Sequence, residues 1–144
     1  MTKDEIKREL KLYYEYHREV DAIVREISQL TADRDRILTA GSKFDGQPRG
    51  TDTSDPTYTQ ASRRIDYYES KISAEMERQK EYLDKLARID RWLDMLPVTR
   101  RKIVKEKYCK QREWAAVARE VKYSPQHCRR LADEAIGFIS RMSA

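Results

Sequence analysis

The chain has 144 residues, of which 38% are charged and 39% hydrophobic, and it contains only four Gly and four Pro. This composition excludes a turn-rich β fold and favours elongated helices, because a helix needs only one apolar stripe to pack. The longest unbroken apolar run is five residues, Trp114 to Ala118, which excludes a transmembrane helix and a secretory signal. We therefore expect a cytoplasmic protein in which Cys109 and Cys128 are free thiols.

The charge is unevenly distributed along the chain, whose formal net charge is +5. Residues 97–144 hold 12 Lys and Arg against 5 Asp and Glu, a net +7, whereas residues 1–96 hold 18 against 20, a net −2. A concentrated basic segment is typical of polyanion binding, with a solvated basic surface as the alternative.

The first segment begins with a capping box, in which Thr2 caps the helix and Glu5 stands three residues on. Apolar or aromatic positions then recur at alternating steps of four and three, as in a heptad seam. These positions are Ile6, Leu10, Tyr13, His17, Val20, Val24 and Ile27. The spacing predicts a helix over about 3–39, in which His17 sets the register.

Residues 40–58 break this pattern with Gly and Pro among Ser, Thr and Asp, which predicts a flexible linker. A second seam follows with the same alternating steps. Its positions are Ile65, Tyr68, Ile72, Glu75, Gln79, Tyr82, Leu86, Ile89, Leu93 and Leu96. It predicts a helix over about 59–95. Two seams of matched length predict a long, coiled-coil-like antiparallel hairpin over residues 1–96. Pairing of each seam with another chain is the alternative, and both arrangements can hold in a homodimer or higher homo-oligomer.

The pattern changes at Pro97, which ends the second helix and starts a region of short helices. The segment from Trp114 to Leu131 fits a helix-turn-helix, with a small residue, Ala118, where two helices cross. Its predicted interior positions are Val117, Val121, Tyr123, Cys128 and Leu131. Ser124 and Pro125 provide the N-cap and first turn of the second helix, and Lys122 occupies the turn position where φ is usually positive. We predict a helix-turn-helix DNA-binding domain over residues 97–144, with an ordinary helical hairpin as the alternative.

A resemblance to a known family rests on several short motifs in this last third. They are Leu96-Pro97, Arg101-Lys102-Ile103-Val104, Tyr108, Trp114-Ala-Ala-Val-Ala118, Tyr123-Ser124 and Arg129-Arg130-Leu131. These motifs resemble region four of bacterial sigma factors over about 97–141. The layout of the whole chain resembles small phage-encoded transcriptional regulators of the RinA and ArpU kind. The resemblance implies a promoter-binding regulator of phage late genes that acts with host RNA polymerase.

The candidate DNA-contacting residues follow from the predicted faces of helix 125–141, whose interior side is Cys128, Leu131 and Ala135. A recognition helix presents its N-terminal residues to base edges in the major groove. For base reading we expect Gln126, His127 and Arg130, since Gln pairs with adenine and Arg with guanine. For phosphate contacts we expect Ser124, Arg129, Arg100, Arg101, Lys102 and Lys105.

The sequence contains no Gly-rich phosphate loop, no metal-ligand spacing and no set of residues typical of a catalytic site. We therefore expect that the protein is not an enzyme and that it binds no metal and no cofactor. The leading hypothesis is a sequence-specific regulator of transcription that binds double-stranded DNA and no membrane. One alternative is a DNA-packaging recognition subunit of the small-terminase kind. The other is a coiled-coil adaptor whose C-terminal unit binds protein.

Overall fold

The computed structural model describes residues 1–42 and 56–143, and all regular secondary structure in these residues is helical, with no strand. The all-α prediction is therefore confirmed for them. The helices are α1 Lys3–Lys11, α2 Tyr13–Ser42, α3 Pro56–Asp94, α4 Val98–Val104, a π-helix Lys105–Cys109, α5 Trp114–Val121 and α6 Pro125–Met142. Of these described helices, none combines the length and the apolar character that a membrane span requires. Most of the predicted 40–58 linker, residues 43–55, lies outside the described residues, while its two ends are helical.

The single helix predicted over residues 3–39 is in fact two helices, α1 and α2, separated at Leu12. The capping box that starts α1 is present: Glu5 N donates to Thr2 Oγ1 at 3.2 Å, and Thr2 N donates to Glu5 Oε2 at 3.0 Å. At Leu12 the backbone turns more tightly, because its N–H bonds to the carbonyl of Glu9, three residues back.

The first seam changes phase just after this break. Ile6, Leu10 and Tyr13 are buried as expected, but His17 and Val24 are exposed, and the buried positions are Tyr16, Ile23 and Leu30. Two steps of three residues, from 10 to 13 and from 13 to 16, thus follow each other where the heptad pattern requires a three and then a four. The prediction that His17 lies in the seam was wrong, because Tyr16 takes the buried position and its hydroxyl donates to Glu9 Oε2 at 2.9 Å.

The second seam is confirmed. Every predicted position from Ile65 to Leu96 is buried or half-buried, and Leu86, Ile89, Leu93 and Leu96 are at most 4% exposed. The neighbouring apolar residues Met76 and Leu83 are exposed instead.

The chain divides into two compact units, and their boundary differs from the one predicted at residues 96 and 97. The first unit contains Met1–Glu19 and Tyr82–Ala144, and the second contains Val20–Glu81. In the first unit α1 packs against α6 and the π-helix. The Ser140 hydroxyl also donates to the backbone carbonyl of Met1 at 2.9 Å. Contacts between residues far apart in sequence thus join α1 to the short C-terminal helices.

The second unit has its own buried side chains, namely Ile23 and Leu30 of α2 and Ile72 of α3. The exposed large hydrophobic residues Val24, Leu38, Tyr67 and Met76 belong to the same unit.

The connection between the π-helix and α5 is held by a buried carboxylate. Lys110 Nζ lies 2.7 Å from Oε1 of Glu106, and Arg112 Nη1 lies 2.6 Å from Oε2. Burial alone would raise the pKa of Glu106, but these two hydrogen bonds outweigh it and hold the pKa below its ordinary value. Lys110 and Arg112, which both bind Glu106, are the two neighbours of Gln111, whose φ of 56° lies in the left-handed region.

Candidate functional site

The turn between α5 and α6 has the local geometry that the sequence predicts. Lys122 adopts φ 62° and ψ 36°, and the N–H of Tyr123 bonds to the carbonyl of Ala118 at 3.2 Å. The Ser124 hydroxyl accepts from the N–H of His127 at 3.1 Å, and Pro125 is the first residue of α6. The left-handed turn residue and the Ser cap are therefore confirmed, and they define where α6 starts.

The predicted interior positions are confirmed at four of the five sites. Val117 and Cys128 are fully buried, Val121 and Leu131 are half-buried, and Ala118, where two helices were expected to cross, is also buried. Tyr123 is 42% exposed, so its interior placement was wrong. The reason is its position just before the N-cap, where its ring packs edge-on against His127, with 4.9 Å between ring centroids.

The three base-reading candidates lie together at the start of α6. Gln126, His127 and Arg130 line, with Ser124, an open surface concavity of about 390 Å³. Gln126 and Arg130 are exposed and His127 is half-buried. Nη2 of Arg130 lies 2.7 Å from Nδ1 of His127. The concavity thus presents an amide, an imidazole and a guanidinium, whose polar groups can hydrogen-bond base edges.

Three of the cationic residues predicted to contact phosphate lie at the surface, although each contacts another side chain. Arg100 Nη2 lies 2.9 Å from Glu134 Oε2, and Lys102 Nζ lies 3.6 Å from Glu120 Oε1. Exposed ion pairs of this kind contribute about 0–1 kcal/mol, so a polyanion can replace the carboxylate. Arg129 is exposed, with its guanidinium carbon 5.9 Å from the centre of the Trp114 ring. The remaining candidate near α6, Ser124, serves as its cap.

The structure gives Arg101 a different role from the predicted phosphate contact. Its Nε donates to the carbonyl of Leu93 at 2.9 Å, and its Nη2 donates to that of Leu96 at 3.1 Å. Leu93 lies in the last turn of α3 and Leu96 just after it, so both bonds hold the chain where α3 ends. Lys105 is half-buried, with Nζ 6.0 Å from the centre of the Tyr13 ring. We therefore assign Arg101 to the fold, whereas Lys105 stays a predicted phosphate contact.

A cation–aromatic cluster at the start of α5 was not predicted. Lys107 Nζ lies 5.0 Å from the centre of the Trp114 ring, on which Arg129 also packs, and Tyr108 meets that ring edge-on. Cation–aromatic contacts of this kind orient the charged groups that take part in them. No sequence spacing indicates the Lys107–Trp114 contact, because it depends on how the chain turns between the π-helix and α5. The Tyr123–His127 contact was not predicted either, because Tyr123 lies outside α6 and was expected in the interior.

The described residues show no metal-ligating cluster and no thiol of lowered pKa. Within residues 1–42 and 56–143, no group of three or more His, Cys, Asp and Glu could hold a metal ion. Both cysteines are free thiols, as predicted, and both are buried. Burial raises the pKa of Cys109 to about 12 and raises that of Cys128 above its ordinary value, so both thiols resist ionisation.

The fold and the site together define a protein that is helical in its described residues and has a polar, hydrogen-bonding surface at the start of α6. The chain belongs to the family DUF722, described as "Protein of unknown function", whose model matches residues 3–141. That match runs through both compact units. No curated protein and no solved structure matches the sequence.

Proposed function

We propose that the protein is a sequence-specific regulator of transcription that binds double-stranded DNA through a helix-turn-helix formed by α5 and α6. One observation carries this proposal: the left-handed turn at Lys122 and the Ser124 cap place Gln126, His127 and Arg130 together on the exposed start of α6. A recognition helix reads base edges with residues at this position. The net +7 of residues 97–144 supports a polyanionic partner.

We further propose that α2 and α3 form the antiparallel hairpin and that this hairpin mediates self-association. Within the first unit, Tyr13 pairs with Asp90, and the Tyr16 and Tyr82 ring centroids lie 5.7 Å apart. Residues early in α2 thus lie against residues late in α3, as an antiparallel pair requires. In the second unit, exposed Val24 and Leu38 of α2 provide an apolar surface for a second copy. Two DNA-binding units raise affinity through effective concentration.

The resemblance to sigma region four and to RinA- and ArpU-like regulators supports a role at phage promoters, together with host RNA polymerase. In vitro transcription with purified bacterial RNA polymerase, on a template carrying a site selected by the protein, tests this part of the proposal. A change in transcript yield that depends on the site supports it, whereas equal yields with and without the protein refute it.

The DNA-binding proposal is tested by selecting bound sequences from a random duplex library with the full chain. We expect an enriched sequence motif and affinity that falls steeply with salt, because phosphate neutralisation releases counterions. An interaction independent of salt, or no binding to any DNA, would refute the proposal and favour the coiled-coil adaptor.

The mass of the full chain in solution separates the regulator from its DNA-packaging alternative. Light scattering should give a dimer or a small oligomer for the regulator. A closed ring of many subunits would favour a packaging recognition subunit, and a monomer at micromolar concentration would refute self-association.

A further inference from the structure

The contact between Arg130 and His127 assigns the donor and the acceptor of their hydrogen bond. A guanidinium has only N–H donors and keeps its charge, so it can approach Nδ1 at 2.7 Å only if that nitrogen is an acceptor. When Nδ1 accepts in this contact, Nε2 is the ring nitrogen that carries the N–H donor. The Ser124 cap holds the backbone of His127, and the Tyr123 ring packs on the imidazole at an interplanar angle of 67°. The ring is thus held from two sides.

We propose that His127 and Arg130 read DNA as one unit, positioned by Tyr123, and that this unit recognises a guanine beside a second major-groove acceptor. The inference rests on the proposed DNA binding and names the base that α6 selects. It also gives Tyr123 the role of a positioning residue.

The choice of guanine follows from the hydrogen-bonding groups that remain free. With Nδ1 occupied, the pair presents only donors: the other guanidinium N–H groups and Nε2–H of the imidazole. Guanine offers two acceptors in the major groove, O6 and N7, whereas adenine offers an acceptor and a donor. An arrangement that contains only donors therefore fits guanine. Gln126 lies in the same concavity and has both a donor and an acceptor, which suit an adjacent adenine.

Tyr123 contributes through position and not through contact with a base. Its ring keeps the imidazole plane in the orientation that directs Nδ1 at Arg130, and this bracing needs the ring but not the hydroxyl. Tyr123→Phe should therefore preserve base preference, while Tyr123→Ala should weaken it. Tyr123 and Arg130 are exposed and His127 is half-buried, so variants of these residues should keep the helix content of the parent chain.

The test compares full-length variants on the selected site and on a matched site in which the guanine is replaced by adenine. The parent chain should prefer guanine by roughly tenfold to a hundredfold, the discrimination expected of one bidentate pair. Arg130→Ala should abolish this preference. His127→Leu should abolish most of it although Arg130 is still present. His127→Asn should restore it, because the amide oxygen can take the place of Nδ1 as the acceptor.

A double-mutant cycle and one control complete the experiment. The effects of His127→Leu and Arg130→Ala on the guanine preference should be strongly non-additive, as for residues that act together. Arg129→Ala, the adjacent arginine, should weaken both sites equally. Additive effects, or an intact preference in His127→Leu, would refute the proposal that His127 and Arg130 act as one unit. The proposed DNA binding would be unaffected by that result. Failure of the parent chain to bind any duplex would instead overturn the proposed function, and this inference with it.

Discussion

The hydroxyl of Tyr13 donates a hydrogen bond of 2.9 Å to Oδ1 of Asp90, 77 residues further along the chain. It joins the start of α2 to the end of α3 within the first compact unit, which also contains α4, α5 and α6. Burial and the hydrogen bond to Asp90 raise the pKa of Tyr13 well above its ordinary value. The short C-terminal helices thus belong to a unit that is completed by residues from both long helices.

The first prediction is that residues 97–144 do not fold stably alone, although the sequence suggests an independent domain there. Removing residues 1–96 deletes Ile6, Leu10 and Ile89, which are completely buried in the same unit. Each fully buried side chain of this type contributes about 1.5–3 kcal/mol, and a whole domain is stable by only about 5–15 kcal/mol. Circular dichroism during urea titration should show weak helicity without a cooperative transition.

A permuted polypeptide provides the matched control for this fragment. Residues 82–144, followed by a short Gly/Ser linker and residues 1–19, restore the complete first unit, because Met1 already lies beside Ser140. This polypeptide should unfold cooperatively. Equal stability of the permuted polypeptide and the 97–144 fragment would contradict the unit boundaries.

The second prediction concerns Arg101. Arg101→Ala should lower the free energy of unfolding by about 2 kcal/mol, because hydrogen bonds from a charged donor to the carbonyls of Leu93 and Leu96 are lost. Arg101→Lys should not restore stability, since an ammonium lacks the planar fork that reaches two separate carbonyls. Urea titration measures both effects. Lys102→Ala is the control and should change stability by less than about 0.5 kcal/mol; a similar loss in both variants would contradict the assigned role.

The third prediction is a loss of stability at alkaline pH. Burial raises the pKa of Cys109 from 9.0 to about 12, and burial with the hydrogen bond to Glu9 raises that of Tyr16 from 10.0 to about 12. Between pH 9 and 12 the unfolded chain therefore holds fewer protons than the folded chain, so the free energy of unfolding falls as pH rises. The stabilisation is complete below pH 9. Urea titrations at pH 8 and pH 10.5 measure the difference.

Cys109→Ala isolates one contribution to this alkaline slope. The smaller side chain lowers stability at both pH values through lost packing. It also removes the difference in proton binding at position 109 between the folded and the unfolded chain. The fall between pH 8 and pH 10.5 should therefore be smaller than in the parent chain. An unchanged fall would show that Cys109 ionises equally in both states.

The fourth prediction separates base reading from phosphate anchoring. Gln126→Ala should cost roughly 1–3 kcal/mol on the selected site and relax preference at one base pair. Lys102→Ala should weaken binding to all duplexes alike and reduce the salt slope by about one unit, since the exposed pair with Glu120 leaves the ammonium free to exchange partners. Affinity measurements on selected and scrambled duplexes at several salt concentrations test both. The reverse pattern would mean that α4 occupies the groove and not α6.

Most helices and their caps could be predicted because they depend on neighbours in sequence, although the break at Leu12 and the π-helix Lys105–Cys109 were missed. The capping box of Thr2 and Glu5, the Ser124 cap and the left-handed Lys122 each depend on contacts within three to five residues. The seam of α3 was also predictable, since a helix repeats its faces every three or four residues. The start of α6, with Gln126, His127 and Arg130, could be predicted for the same reason.

The tertiary structure decided which side chains remain available for a partner and which units the helices form. Arg101 and Lys102 are adjacent in sequence, yet one binds backbone carbonyls of α3 and the other lies at the surface beside Glu120. Tyr13 meets Asp90 and Ser140 meets Met1 across separations of 77 and 139 residues. Charge and periodicity do not encode such contacts, because they depend on the path of the chain between the residues that meet.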